Sequence, residues 1–527
     1  MNARRWRQSS LLCFINLCCK ILVIAQIGAR SGKTGNVKHV SSCEADTTVG
    51  QYGTFHLQFC PIDINKAERL DKFRYFQKLN ERMSSNTLSF IDALVHIESG
   101  IGKTQKEGLK NIYYAGSARE GAMLSRLFGP SEYENQRINK EIEADIEYNL
   151  LEIPLSHKQN IEDIHGKKGY VRIKCTEDEL KIFLAPTNWK VDFSKHADIL
   201  EGLLVNGYVK THWIKEVAKA KVKVRNDNHV IELILAFILN VELDRVSLSP
   251  PKDKVTKSSV ETQISLYVDE IFKLALSWDA VLVIQLSWWP EVAKEWVTRK
   301  RKWPGVEIVE NLTRVGYIIT KPSAENKLDV QTTELRYSFA NVERELINMR
   351  SVQQNFIYVL FKSMIYQHLK PLHKENIHSF IGKTVMFWTC EEHGINDPLW
   401  ESDDKSTIHA LSHLFKKLLK YIEEDDHLPY YFIPSINVIE KMTDSLKRNV
   451  VSKIKLILSD VLLYVPDNIE EVIEASEEMV KIMESAGEIM TAIRQNNFAI
   501  FLRRPDLIKK ALEIYGEKIM AIMKERL

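Results

Sequence analysis

Asp145-Ile146-Glu147-Tyr148 sets two carboxylates two residues apart in a strand-like run. Residues i and i+2 of a strand share a face, so both acids project together. Adjacent carboxylates repel unless a cation lies between them, and hard oxygen ligands suit Mg²⁺ or Mn²⁺. Two such ions could activate an attacking hydroxyl and neutralise a departing pyrophosphate. The plainer alternative is a solvated acidic strand face. Upstream, Gly116-Ser117 follows the strand-like Ile112-Tyr113-Tyr114. Ser117-Ala-Arg-Glu120 has the form of a capping box and predicts a helix from Ser117 to about Phe128. A Gly-Ser turn feeding a helix N-terminus offers backbone N–H groups, a hydroxyl and a positive dipole end to an anion such as a triphosphate. Many capping boxes open helices that bind nothing.

Elements must hold these residues. The chain has 527 residues and 45% hydrophobic content, with a net charge of +2. That excludes a disordered chain and a polytopic membrane protein. Five of the seven cysteines fall in the first sixty residues, leaving Cys175 and Cys390 for the rest, so the body is no disulfide scaffold. Arg4, Arg5 and Arg7 precede an apolar run at 11–27 that Lys20 interrupts. This segment reads either as a targeting or membrane-anchoring element or as a disposable leader. From about Asn65, apolar residues recur at helical spacing through Val95, with a possible break at Ser84-Ser85-Asn86. Residues 169–186 and Trp278 to Leu286 are strand-like, and Ser247 to Thr262 reads as a polar loop. From Tyr337 onward the stripes are almost all helical: 342–369, 383–390, 407–422 and 438–465.

Two stretches are basic. Lys210, Lys215, Lys219, Lys221, Lys223 and Arg225 cluster with only Glu216 opposing them. Arg299, Lys300, Arg301 and Lys302 sit between Trp296 and Trp303. Either could meet several phosphates, although charge runs are usually solvated faces. Cys390-Glu-Glu-His393 offers only two ligand types and reads as no metal site.

Gly-Ser, a helix, then Asp-x-Glu on a strand resembles the nucleotidyltransferase superfamily, whose third acid comes from a later strand. Asp279 is the candidate, at the head of an apolar run ending at Leu286. The likeness then narrows. Trp289-Pro290, Ala293, Trp296, Arg299, Trp303-Pro304, Gly316 and Lys321 follow in order. After them come Arg336-Tyr-Ser-Phe339, Glu343, Glu345, Lys362 and His378-Ser-Phe-Ile-Gly-Lys-Thr384. Phe387-Trp-Thr-Cys-Glu-Glu392, Trp400 and Tyr431-Phe-Ile-Pro434 complete the set. This ordered set resembles the Mab family, which contains cyclic GMP–AMP synthase and the animal receptors similar to it.

The resemblance implies an α/β fold of two lobes: a nucleotidyltransferase lobe with a mixed β-sheet, a helical lobe, and here a C-terminal helical extension. The corresponding boundaries are 1–60 for the leader and linker, 61–330 for the catalytic lobe, 331–440 for the helical lobe and 441–527 for the extension. Asp145, Glu147 and Asp279 align with the acids that hold two metal ions, Mg²⁺ or Mn²⁺. Gly116-Ser117 would seat the donor triphosphate, with Lys362 and Ser379 touching phosphate. Phe380 would stack on a base, and Arg336 and Ser338 would reach bases in the cleft. Plainer readings stand beside these: a surface cation for Lys362, a helix cap for Ser379, a core ring for Phe380, a glutamate partner for Arg336. The implied activity joins ATP and GTP into a cyclic dinucleotide for innate immune signalling, switched on by double-stranded nucleic acid. RNA is favoured over DNA, because the synthase's zinc-binding insertion is absent: Asn348 to Lys362 contains no cysteine or histidine. Membrane contact through 11–27 and oligomerisation through the extension stay open. The second metal position carries Glu147 where aspartate is usual, which moves its oxygens outward by a methylene. The alternative is a catalytically silent family member acting as a binding module or scaffold.

Overall fold

The computed structural model describes residues 66–98, 112–129, 138–184, 204–210, 246–249, 259–267, 272–319 and 333–494. Its framework is a mixed sheet of nine strands among the described residues. These are β1 (Ile112–Ala115), β2 (Ile138–Ile153), β3 (Ile161–Asp163), β4 (Tyr170–Ile173), β7 (Val246–Ser249), β8 (Ser259–Tyr267), β9 (Phe272–Leu286), β10 (Gly316–Ile319) and β11 (Leu335–Ser338). A separate two-stranded ribbon pairs β5 (Leu204–Val205) with β6 (Tyr208–Val209). Strand β9 is the spine. One edge runs parallel to β2 from Ile138↔Phe272 to Ile153↔Leu286. The other edge is shared end to end, β8 pairing with Lys273 to Val281 and β10 with Val283 to Leu286. A central strand paired on both sides leaves no open ladder to template another chain.

Helices surround this sheet and extend beyond it: α1 (Lys66–Glu98), α2 (Gly116–Arg119), α3 (Glu177–Leu184), α4 (Lys294–Thr298), α5 (Val306–Leu312), α6 (Ala340–Asn348), α7 (Val352–Met364), α8 (Ser379–His393), α9 (Asp404–Glu423), α10 (Asp444–Ser459) and α11 (Ile469–Arg494). Helix α1 is unbroken through Ser84-Ser85-Asn86. Ser84 and Thr87 are buried within it, so packing overrides the weak local propensity of that triplet. Its apolar stripe, Leu70, Phe73, Phe76, Leu79 and Met83, is fully buried. The extension folds back onto α1. Lys72 pairs with Glu470, the Tyr75 hydroxyl donates to Glu477 at 2.6 Å, and Arg82 pairs with Glu484 at 2.7 Å, so α11 and α1 run in the same direction. Val472, Met479, Val480 and Met483 form the buried side of α11.

Several sequence expectations change. The stretch 169–186 holds one short strand, β4, and then helix α3. The polar loop 247–262 has strands at both ends, because β7 and β8 pair as a hairpin against β9. The stripe 342–369 is divided by Ser351, whose hydroxyl accepts the Gln354 N–H while Gln354 returns the bond to the Ser351 N–H. That capping box starts a new helix rather than continuing the old one. Residues 11–27 lie outside the described residues; among the described residues no helix is long and apolar enough to cross a membrane.

The Trp and Tyr-Phe-Ile-Pro motifs are packing devices that join the sheet to the helices. Phe339 stacks on Phe432 with ring centroids 4.6 Å apart, and Trp296 meets Phe432 at 5.0 Å. Gly316 fits for a related reason: a Cβ there would stand 2.5 Å from the Trp288 carbonyl oxygen, a backbone atom that cannot turn aside. Gly316→Ala is therefore expected to lower stability by about 1–3 kcal/mol through overpacking, read as a drop in the thermal midpoint. An unchanged midpoint would show that this strand junction has slack.

Candidate functional site

The backbone register assembles one row of acids. Asp145 on β2 is the direct Cα partner of Asp279 on the parallel strand β9. Neighbours in register occupy the same side of a sheet, and Glu147 shares the face of Asp145 by strand alternation. On the far side, Ala115 of β1 pairs with Asp145. Gly116-Ser117 thus leaves the sheet one residue beyond the strand position next to Asp145. Glu261 of β8 pairs with Asp279, placing a fourth acid in the same cross-strand row. Acidic residues at neighbouring positions on one face of the sheet are residue types that fit a hard divalent cation such as Mg²⁺ or Mn²⁺.

The helix expected from Ser117 to Phe128 is not continuous. Residues 116–119 form one helical turn, residues 120–123 turn, and 124–128 make a 3₁₀ segment. Gly116 opens the turn with φ of +66°, a region that favours glycine. The break arises because two groups are taken by other elements. Asn80 Oδ1 on α1 accepts the Leu124 N–H at 2.7 Å. Glu120, instead of capping Ser117, turns into the interior.

Glu120 is the hub of a buried charge cluster. Its Oε1 receives Lys383 Nζ at 2.7 Å; its Oε2 receives the Tyr358 hydroxyl at 2.8 Å and lies 3.5 Å from Lys362 Nζ. Lys383 also donates to Glu343 at 2.9 Å. Lys362 Nζ in turn donates to Ser117 Oγ at 2.7 Å. The side chains of Lys362 and Glu120 are 1% and 4% exposed. Two lysines against two glutamates leave the cluster neutral, as burial demands. Burial pushes the Glu120 carboxyl up, yet Lys383 and Lys362 outweigh it and hold it well below the usual carboxylate range. Burial lowers Lys383 but Glu120 and Glu343 together raise it well above an ordinary lysine. Lys362, with less compensation from Glu120 and repulsion from Lys383, is brought down to about 8 by burial. It is a charged donor aimed at the Gly-Ser turn, and its charge is more easily lost than that of Lys383.

The remaining nucleotide candidates lie along the same line. Ser379 opens α8. Phe380, one residue on, is half-buried against Tyr430 at 5.6 Å, with Lys383 Nζ 5.4 Å from its ring centre. Arg336 on β11 and Glu343 both act on the Tyr430 phenol, which burial holds well above its ordinary value. Ser338 Oγ accepts the Ala340 N–H at 3.4 Å and so helps to start α6. Lys383 entered only as part of the His378–Thr384 match, without a role, and Tyr358 was not singled out; neither has a mark of its own until the glutamate they share is located. Glu261 was hidden within the stretch 247–262, which reads as a polar loop.

The basic stretches fare differently. Arg299 is no free phosphate contact: it grips Glu391 through two bonds of 2.7 and 2.8 Å and lies 4.2 Å from the centre of the Trp388 ring. Arg301 packs 4.8 Å from the Trp296 ring centre and donates to the Arg299 carbonyl. Aromatic neighbours and one buried glutamate have turned both arginines into structural cations. Lys300 and Lys302 are exposed, and Lys210 is half-buried at the end of the β5–β6 ribbon. Lys215, Lys219, Lys221 and Lys223 lie outside the described residues.

Replacing Glu120 by Gln strands two buried ammonium groups against Glu343 alone. The expected loss is about 3–5 kcal/mol, measured by denaturant unfolding. The Lys362 ammonium is present below pH about 8 and lost above it. Tripolyphosphate affinity should therefore fall between about pH 7 and pH 9 in the parent chain and stay flat in Lys362→Met. A flat profile in the parent would place the anion elsewhere.

The chain matches the Mab-21 protein nucleotidyltransferase domain over residues 133–349 and the Mab-21 protein HhH/H2TH-like domain over residues 354–456. It is 26% identical over 185 residues to a cyclic GMP-AMP synthase-like receptor of Aethina tumida, a stretch covering 34% of this chain and 43% of that relative. The match thus spans less than half the length of that receptor. Asp145, Glu147 and Asp279 all fall inside the matched nucleotidyltransferase domain. With both domains present in order and an acid row registered beside a Gly-Ser turn, the chain belongs to the Mab-21 family of nucleotidyltransferase-fold proteins and resembles its cyclic GMP–AMP synthase-like members.

Proposed function

We propose that this chain is a metal-dependent cyclic dinucleotide synthase that joins ATP and GTP, or two copies of one of them, in response to double-stranded nucleic acid. The supporting observation is the alignment of Ala115, Asp145 and Asp279 across three adjacent strands, with Gly116-Ser117 directly after Ala115 and Lys362 bonded to Ser117. Bound at Asp145, Glu147 and Asp279, Mg²⁺ or Mn²⁺ would lower the pKa of a ribose hydroxyl and offset charge on the departing pyrophosphate. The chain's own residues do the rest. Gly116, Ser117 and Lys362 hold the donor triphosphate against the acid row. Glu120 fixes the aim of Lys362, and Tyr358 fixes Glu120. Phe380, Arg336, Ser338 and Ser379 would contact the bases and phosphates across the cleft. Lys300, Lys302 and Lys210, with the stretch 215–223, would meet duplex phosphates. Shape-read RNA is favoured over DNA because the zinc insertion is absent.

Glu147 supports the second reading, a silent binding module, because its longer side chain shifts the oxygens of an ion that tolerates little geometric error. The full chain is to be incubated with ATP and GTP, with Mg²⁺ or Mn²⁺, and with or without duplex RNA or DNA. A cyclic product that requires a duplex and vanishes in Asp145→Ala is the expected outcome. Glu147→Asp should raise turnover in Mg²⁺ more than in Mn²⁺. Folded protein silent under every condition, in both parent and Glu147→Asp forms, would overturn the enzyme in favour of the binding module.

A further inference from the structure

At the end of the molecule remote in sequence from the acid row, helices α8 and α9 bring together a second set of ligand types. We propose that Glu392 and His393, from the C-terminal end of α8, and His413, from the middle of α9, bind a borderline divalent ion of the zinc class and clip the two helices together.

The donor atoms of the three residues lie within 4.8 Å of one another. Ligands about 2.0–2.2 Å from a zinc-class ion stand closer than this, so small rotations of the exposed Glu392 and the half-buried histidines would close the site. The two imidazoles are already edge to face, with ring centroids 4.7 Å apart. His413 Nε2 is buried and has no hydrogen-bond partner, an unusual state for a ring nitrogen and the state that a coordinated ion would resolve. The other histidine is oriented from behind. His393 Nδ1 meets Asp397 Oδ2 at 3.3 Å, and Asp397 is itself held by the Leu399 N–H at 3.0 Å. A carboxylate on Nδ1 fixes the proton there and leaves Nε2 as the donor, the arrangement that supports most ligating histidines. Glu392 is exposed. Its Oε2 is held by Lys417 Nζ at 2.6 Å, leaving Oε1 for the ion.

Cys390, one turn back on α8, is fully buried and takes no part, and Cys390-Glu-Glu-His393, which reads in sequence as no metal site, supplies two of the three ligands. The missing ligand comes from the next helix. Two nitrogens and one oxygen select Zn²⁺, Co²⁺ or Ni²⁺ over Mg²⁺ and Ca²⁺, which require oxygen. Lys417 is an adverse neighbour, an ammonium on the same carboxylate as the ion.

The test is calorimetric titration of the chelator-stripped full chain with Zn²⁺, paired with Co²⁺ absorption in the visible region to read coordination directly. Mg²⁺ serves as the comparison ion. One tight equivalent of Zn²⁺ is expected. His393→Ala and His413→Ala should each weaken it at least tenfold, and Asp397→Asn by about 10- to 100-fold. Lys417→Met should tighten it by removing the competing charge. Because the chain has 15 histidines, His165→Ala, at an exposed remote position, is the control and should change nothing. Glu392→Gln removes an exposed carboxylate, and a thermal midpoint equal to the parent's separates its loss of binding from misfolding. The proposal is overturned if the parent binds no stoichiometric Zn²⁺, or if binding persists unchanged in both histidine variants and in Glu392→Gln. The readout is independent of nucleotide chemistry, so its failure and that of the synthase reading are separable.

Discussion

The carboxylate of Glu120 joins the turn after β1 to the helices packed against it. It belongs to the turn after β1, while the groups that satisfy it, Tyr358, Lys362 and Lys383, come from α7 and α8. A buried carboxylate costs several kcal/mol unless paired and hydrogen-bonded. The sheet and the helices cannot separate without exposing that cost, so one charge balance fixes both the position of the helices and the aim of Lys362. The same lysine reaches Ser117, which links the Gly-Ser turn to the helical side through a single side chain.

The acids depend on a different constraint. Asp145 and Asp279 come from distant parts of the chain, and only the long parallel ladder between β2 and β9 places them side by side. Strand β9 can serve because β8 and β10 divide its other edge, one supporting the half that carries Asp279 and the other the half that runs into Gly316. Close approach at Gly316 then turns the chain toward the aromatic cluster around Phe432. Chemistry and packing are therefore consecutive parts of one strand.

Much of this was legible in the sequence. Asp145 and Glu147 share a face by strand period alone, and the helical stripes after Tyr337 are real, because both signals are local. The long apolar run of α1 was equally clear. What failed was decided at a distance. Ser117-Ala-Arg-Glu120 satisfies the local rule for a capping box, but two lysines more than two hundred residues away compete for Glu120 and win. Arg299 and Arg301 have the composition of a phosphate-binding run; an aromatic wall and Glu391 make them part of the core. Strands β7 and β8 looked like loop because their neighbour in the sheet, not their own alternation, determines them.

The pairing of α1 with α11 has a consequence for how the molecule comes into being. The salt link between Lys72 and Glu470 spans 398 residues and that between Arg82 and Glu484 spans 402. Loop closure over such separations is slow, and a chain emerging from the ribosome completes its N-terminal parts first. The first described helix therefore leaves the exit tunnel with an apolar stripe whose last partner has yet to be synthesised. During that interval Phe73 and Phe76 are a natural point of engagement for chaperones, and the nascent chain closes this contact only after α11 has emerged.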